Sequence, residues 1–169
     1  ARFIYPILAS EGVHADVVSG GELYTALKAG FDPRHLHFHG NNKTVSELEM
    51  AVDCGIGSVI IDAFEEVDRL EAVCAAKGKH QRVLFRVKPG VHADTHEFIS
   101  TGQNDSKFGF GIEDGEAMHL AKYILEHKHL DFVGIHCHIG SQVFSVDGFA
   151  KAARIMFDFF CKMEKELNI

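Results

Sequence analysis

Residues His138 and Ser141 stand three positions apart in the segment HCHIGSQ, at the end of the apolar run FVGIHCH. An imidazole can lie flat against a ring, and a hydroxyl can donate to a phosphate oxygen. Gly140 between them permits close backbone approach, and a helix N-terminus downstream would attract the same anion. Strand alternation places His136 and His138 on one face. Two other readings fit the same residues. One is a buried histidine pair with satisfied hydrogen bonds. The other is a metal set for hydrolysis, in which His136 and His138 join Asp62 and His37-x-His39. Arg86, in FRVKPG, demands an anion if buried: a ligand carboxylate or phosphate, or a structural pair with Asp16 or Asp62.

These residues need a scaffold, and a repeated strand-helix rhythm supplies one. Strands are predicted to start near positions 14, 36, 58 and 82, with a fifth over Phe132–His138. A helix follows each, and a further helix over Ala1–Gly12 precedes the first strand. Ser19 with Glu22 and Thr44 with Glu47 have capping-box spacing. Gly30, Gly55 and Gly78 stand where left-handed helix stops are wanted. Apolar stripes predict inward faces: Leu23, Ala26 and Leu27; Leu48, Ala51 and Val52; Phe64, Val67, Leu70 and Val73; Ala117, Leu120, Ala121, Ile124 and Leu125. The last helix shows Phe149, Ala153, Met156, Phe160, Met163 and Leu167 as its core stripe. The rhythm breaks over Lys88–Gly111, a polar, Gly- and His-rich insert of the kind that is more often functional than a plain connector.

A period of 22 to 24 residues between strand starts describes βα units. Parallel strands with helical crossovers build either an open doubly wound sheet or a (β/α)8 barrel. No Gly-x-Gly-x-x-Gly turn is present, which weakens the dinucleotide-binding form. The expected fold is therefore a partial (β/α)8 TIM barrel, with about five of its eight strands in 169 residues. Barrel chemistry sits at the C-terminal strand ends. Here those ends hold Asp16 and Ser19; His39, Asn41 and Asn42; Asp62; Arg86; and His136, His138, Gly140 and Ser141. Capping and turn chemistry alone accounts for part of this set, Ser19 and Asp62 above all.

Composition narrows the function classes. The net charge of −7 argues against a general nucleic-acid binder. No apolar run reaches the 18 residues of a membrane span, and the opening ARFIYPILAS reads as helix rather than signal peptide. Cys54, Cys74, Cys137 and Cys161 form no Cys-x-x-Cys pair, and they suit a reducing cytoplasm as small buried residues. Twelve histidines raise the expectation of a site without locating it.

The segments ADVVSGGELYTALKAGF, FHGNNKT, RVKPGVHADTHEFISTGQNDSKFGFG and GIHCHIGSQV, in this order, resemble the diaminopimelate decarboxylase family. The resemblance implies an alanine-racemase-like barrel that binds pyridoxal 5'-phosphate and a carboxy-lyase acting on meso-diaminopimelate to give L-lysine. It matches His138 to the histidine that stacks on the cofactor ring and Ser141 to a phosphate-binding hydroxyl. Asp16 and Arg86 match polar residues of the cofactor pocket. Glu22 matches a family glutamate that capping already explains, and Lys107-Phe108-Gly109 matches a recurring motif with a structural role. The family's Schiff-base lysine precedes the first helix, so it is expected just upstream of Ala1. Lys28, Lys43, Lys88 and Lys107 do not match it. The resemblance thus makes residues 1–169 a part of the N-terminal cofactor-binding barrel domain. The remaining strands and a C-terminal β-domain are expected elsewhere, in a homodimeric cytoplasmic enzyme. A fragment of this extent is expected to be inactive.

Overall fold

The computed structural model describes residues 3–90 and 108–169. Most of the predicted insert therefore lies outside the described residues. The described elements run α1 (Ile4–Ser10), β1 (Ala15–Val17), α2 (Gly20–Lys28), β2 (Leu36–Phe38), α3 (Val45–Cys54), β3 (Ser58–Ile61), α4 (Phe64–Lys77), β4 (Gln81–Lys88), β5 (Phe110–Gly111), α5 (Glu116–Leu125), β6 (Leu130–His136) and α6 (Val146–Leu167). Strand β5 is new relative to the sequence reading. At two residues it carries no periodicity to detect.

The chain divides into two units. The first comprises Ala1–Leu84 and His127–Val133. In it β1 and β2 pair in parallel with Asp16 opposite His37, and β2 and β3 pair in parallel with His37 opposite Ser58. Helices α2, α3 and α4 pack successively along this sheet. Val17, Leu36, Phe38, Val59 and Ile61 of the strands and Leu23, Leu48, Val52, Val67 and Leu70 of the helices are buried in its core. The second unit comprises Phe85–Glu126 and Gly134–Ile169. There β5 lies parallel to the end of β4, with Val87 opposite Phe110, and α5 packs on α6.

Two helix faces differ from their predicted stripes. Leu125 is 42% exposed, while Ala117, Leu120, Ala121 and Ile124 are buried as expected. On α6 the buried residues are Ala152, Phe159 and Met163, whereas Phe149 and Phe160 are half exposed. This helix is apolar around more than one face, so periodicity allowed two overlapping stripes. Packing chose the one that places Ala152 against Ile139.

The capping glutamates do more than capping. Thr44 and Glu47 form the complete reciprocal box at the start of α3. Ser19 Oγ accepts from Glu22 N, but the Glu22 carboxylate reaches one residue further back, to Val18 N at 2.7 Å. Glu47 also reaches sideways: its Oε1 accepts Gly20 N at 2.8 Å, tying the first residue of α2 to the start of α3. Amide donation from Thr44 and Gly20, with help from the Thr44 hydroxyl, holds the Glu47 carboxyl below its ordinary value. Such a carboxyl stabilises the fold above its unfolded-state pKa of about 4.3, and this contribution is lost as pH falls through the lower folded value. Glu47→Gln should therefore flatten the acid side of the stability profile of the intact protein below about pH 5. Thermal melts between pH 3 and 7 check this, and an acid limb identical to the parent's would refute the linkage.

Candidate functional site

In the first unit, Asp16 lies in the middle of β1 with its side chain 63% exposed. His39, one residue beyond β2, approaches it with Nε2 3.4 Å from Asp16 Oδ1. His37 is turned to other partners. Its Nδ1 lies 2.7 Å from Ser58 Oγ and its Nε2 lies 3.0 Å from His14 Nδ1. The His14 ring stacks on both His37 and His35. Burial pushes the His37 imidazole below its ordinary pKa, with Asp16 pulling the other way.

The turn after β2 carries Asn41 and Asn42 on its exposed side and buries Lys43. Lys43 Nζ donates to Gly40 O and to Ile60 O, each at 2.7 Å, and lies 2.6 Å from Glu66 Oε1. Glu66 Oε2 in turn accepts Asp62 N at 3.1 Å. The two side chains are 1% and 2% exposed. Burial pushes the Glu66 carboxyl up, and the Lys43 charge opposes it. The sequence reading missed this pair, although a signal existed. Glu66 is one helical turn before Leu70 and two before Val73, so it sits on the buried stripe of α4. A carboxylate in that stripe requires a cation. The Lys43 side chain is 1% exposed and faces two carbonyls and Glu66, so its ammonium is closed off from a ligand.

In the second unit, Arg86 is half-buried on β4. Its guanidinium carbon stands 4.8 Å from the centre of the Phe108 ring. Gly109 has φ +76°, and a Cβ there would come within 2.9 Å of Arg86 O and 3.1 Å of Arg86 Cγ. Phe108 and Gly109 thus hold Arg86 from two sides. This gives physical content to the motif read as structural, whose Lys107 lies outside the described residues. Burial raises the Cys137 thiol, and the Arg86 charge opposes it.

Strand β6 ends at His136. His138 lies two residues beyond it, so strand alternation does not govern its direction. Its side chain opens on a cleft of about 240 Å³ lined by Cys137, His138, Ile139, Gly140, Phe149, Ala152, Ala153 and Met156. Ser141 is exposed and stands next to this lining rather than in it. The following turn has φ +139° at Gly140 and +56° at Gln142. Helix α6 starts only at Val146, and its N-terminus is occupied by the Ser145 side chain accepting from Asp147 N. Ser141 lies five residues ahead of that helix start.

The metal reading loses its ligand set. Among the described residues, no three His, Cys, Asp or Glu side chains converge as metal ligands. Nor, among them, is any helix long and apolar enough to cross a membrane. Cys74 is buried, which pushes its thiol up to about 11, whereas Cys161 is exposed and Cys54 and Cys137 are intermediate. The expectation of buried cysteines thus holds for one of the four.

A parallel sheet with helical crossovers and polar groups gathered at the strand ends defines an α/β barrel-type domain. The family described as "Pyridoxal-dependent decarboxylase, pyridoxal binding domain" matches residues 1–169, and the chain belongs to it. Diaminopimelate decarboxylase of Bacillus methanolicus is 49% identical over 148 residues, covering 88% of this chain and 34% of that protein. The Bacillus subtilis enzyme is 46% identical over 166 residues, covering 94% and 38%. The chain thus spans little more than a third of the length of these relatives. Diaminopimelate decarboxylase from M. jannaschii in complex with L-lysine superimposes with a TM-score of 0.89 at 38% identity, over 98% of this chain and 38% of that one. The partial-barrel expectation is borne out, with six strands among the described residues rather than five.

Replacing Gly109 with alanine forces a positive φ on a residue with a Cβ and drives that Cβ against Arg86. A loss of about 1–3 kcal/mol is expected. Urea denaturation of the intact protein measures it, and a midpoint unchanged from the parent would contradict the close approach.

Proposed function

We propose that the intact protein is a pyridoxal-phosphate enzyme that decarboxylates meso-diaminopimelate to L-lysine, and that residues 1–169 form part of its cofactor-binding barrel. The observation that carries this reading is His138 at the rim of a cleft directly after an apolar strand, in a chain matched throughout by the pyridoxal-binding family.

The residues present fit such a group. The cleft beside His138 is apolar apart from its imidazole and backbone, as a flat ring requires. The Gly140–Ser141 turn outside it offers a hydroxyl and exposed backbone suited to a phosphate. His138 would hold the ring plane and Ser141 the phosphate. Arg86, kept in place by Phe108 and Gly109, supplies positive charge, and Asp16 supplies negative charge in the cofactor pocket. The bound cofactor would act as the sink for the electron pair left when carbon dioxide departs. This chain's contribution is orientation and electrostatics. On the family resemblance, the lysine that carries the cofactor is proposed to lie upstream of Ala1; Lys43 is held instead by Gly40, Ile60 and Glu66. The intact protein is further proposed to be a cytoplasmic homodimer.

The intact protein should carry a visible cofactor absorbance, and borohydride should trap the cofactor on a lysine preceding Ala1. It should release carbon dioxide from meso-diaminopimelate. His138→Ala should cut kcat/KM by about 100-fold or more while the protein remains folded. Cofactor binding without carbon dioxide release would instead identify a non-catalytic relative. Zinc or manganese retained in stoichiometric amount without a chromophore would overturn the proposal in favour of a hydrolase.

A further inference from the structure

Asp16 is the exposed member of its pair and His39 the enclosed one: their side chains are 63% and 14% exposed. The carboxylate is thus held by a partner that is itself fixed. His39 N donates to Val17 O at 2.8 Å, which extends the β1–β2 ladder one residue past the end of β2. Gly40 follows with φ +103°, and its carbonyl is the first of the two that Lys43 Nζ grips. The second, Ile60 O, belongs to β3, and Glu66 closes the cluster from α4. One buried ammonium therefore ties the turn that bears His39 to the neighbouring strand and helix. Glu66 also holds the Asp62 amide, so the ends of β2 and β3 share a single anchor.

We propose that His39 is a positioning residue for Asp16, and that the Lys43–Glu66 pair is the anchor that keeps it in place. The inference rests on the reading of Asp16 as a cofactor-pocket residue. An aspartate side chain has several staggered rotamers, and the His39 ring 3.4 Å from the Asp16 carboxylate is one of the contacts that choose among them. That choice is made before any ligand arrives, so less ordering remains to be done on binding. Neither His39, Lys43 nor Glu66 needs to touch the ligand for this to work.

The test uses the intact protein reconstituted with pyridoxal 5'-phosphate, with affinity, visible absorbance and thermal midpoint read for each variant. His39→Leu should weaken cofactor affinity about tenfold and shift the visible band, with little change in the midpoint. His39→Gln, which keeps a donor at similar reach, should recover most of the affinity. In an Asp16→Asn background, His39→Leu should add less than about twofold, because its effect passes through the carboxylate. The double replacement Lys43→Met with Glu66→Leu substitutes an apolar pair for the ion pair, which can leave stability near the parent's. It should reproduce the His39→Leu defect. Parental affinity and absorbance in His39→Leu would overturn the proposal, as would a full additional loss in the Asp16→Asn background. A parent protein that binds no cofactor would instead overturn the functional reading beneath it, and the two failures are told apart by the parent's own absorbance.

Discussion

Two opposite charges buried side by side govern the βα turns of the first unit. Removing an ammonium and a carboxylate from water costs several kcal/mol each, and their attraction offsets this only when the remaining donors and acceptors are also met. Lys43 satisfies that condition with two carbonyls and Glu66. Glu66 meets it in part: Oε2 accepts the Asp62 amide, while Oε1 is paired with Lys43 by charge without a hydrogen bond. The geometry is demanding because each partner comes from a different element: a turn, a strand and a helix. A displacement of any one leaves a buried charge incompletely paired, so the three elements hold one another in register.

The same chemistry recurs at lower stakes around the sheet. Glu22, Glu47 and Glu66 are each the third residue of their helix, and each carboxylate accepts a backbone amide near the end of the preceding strand or the start of the helix. Strand ends and helix starts both leave amides without ladder partners. A carboxylate three residues into the helix meets that need and favours the helix dipole as well. Rigid turns result, and turns are where barrel enzymes carry their working groups. In the second unit a different device does this. Arg86 lies against the face of Phe108 and the bare backbone of Gly109, so packing contributes to its placement.

The abundance of histidine finds a partly structural explanation. His127 lies near Asp68, Glu71 accepts from the His129 amide and faces its Nδ1, and His80 stands beside Asp131. His14, His35 and His37 form a stack of their own. Imidazoles serve here as short polar partners for carboxylates and for one another at the starts of strands. His39 stands beside Asp16 and His138 lines a cleft, and the two differ in kind. His39 acts through Asp16, whereas His138 opens directly on a cleft.

Local order was legible in the chain itself. The βα repeat, the Thr44–Glu47 box, the left-handed stops at Gly55 and Gly78, and the inward faces of α2, α3 and α4 follow from periods and residue types that act within a few positions. Asp16, Arg86, His138 and Ser141 could be nominated because strand ends concentrate polar groups and because their surrounding motifs resemble a family. Only the folded chain could decide what those residues touch. The Lys43–Glu66 pair spans 23 positions, the His39–Asp16 pair also spans 23, and Arg86 meets Phe108 across 22. Each separation is about one βα repeat, which brings these positions to neighbouring strand ends without saying which side chains meet there. The choice between two overlapping apolar stripes on α6 likewise waited for Ile139 to arrive. Local periodicity reports which face of an element is apolar. Which charge meets which, and which stripe is covered, depends on contacts between elements, and these exist only once the chain has packed.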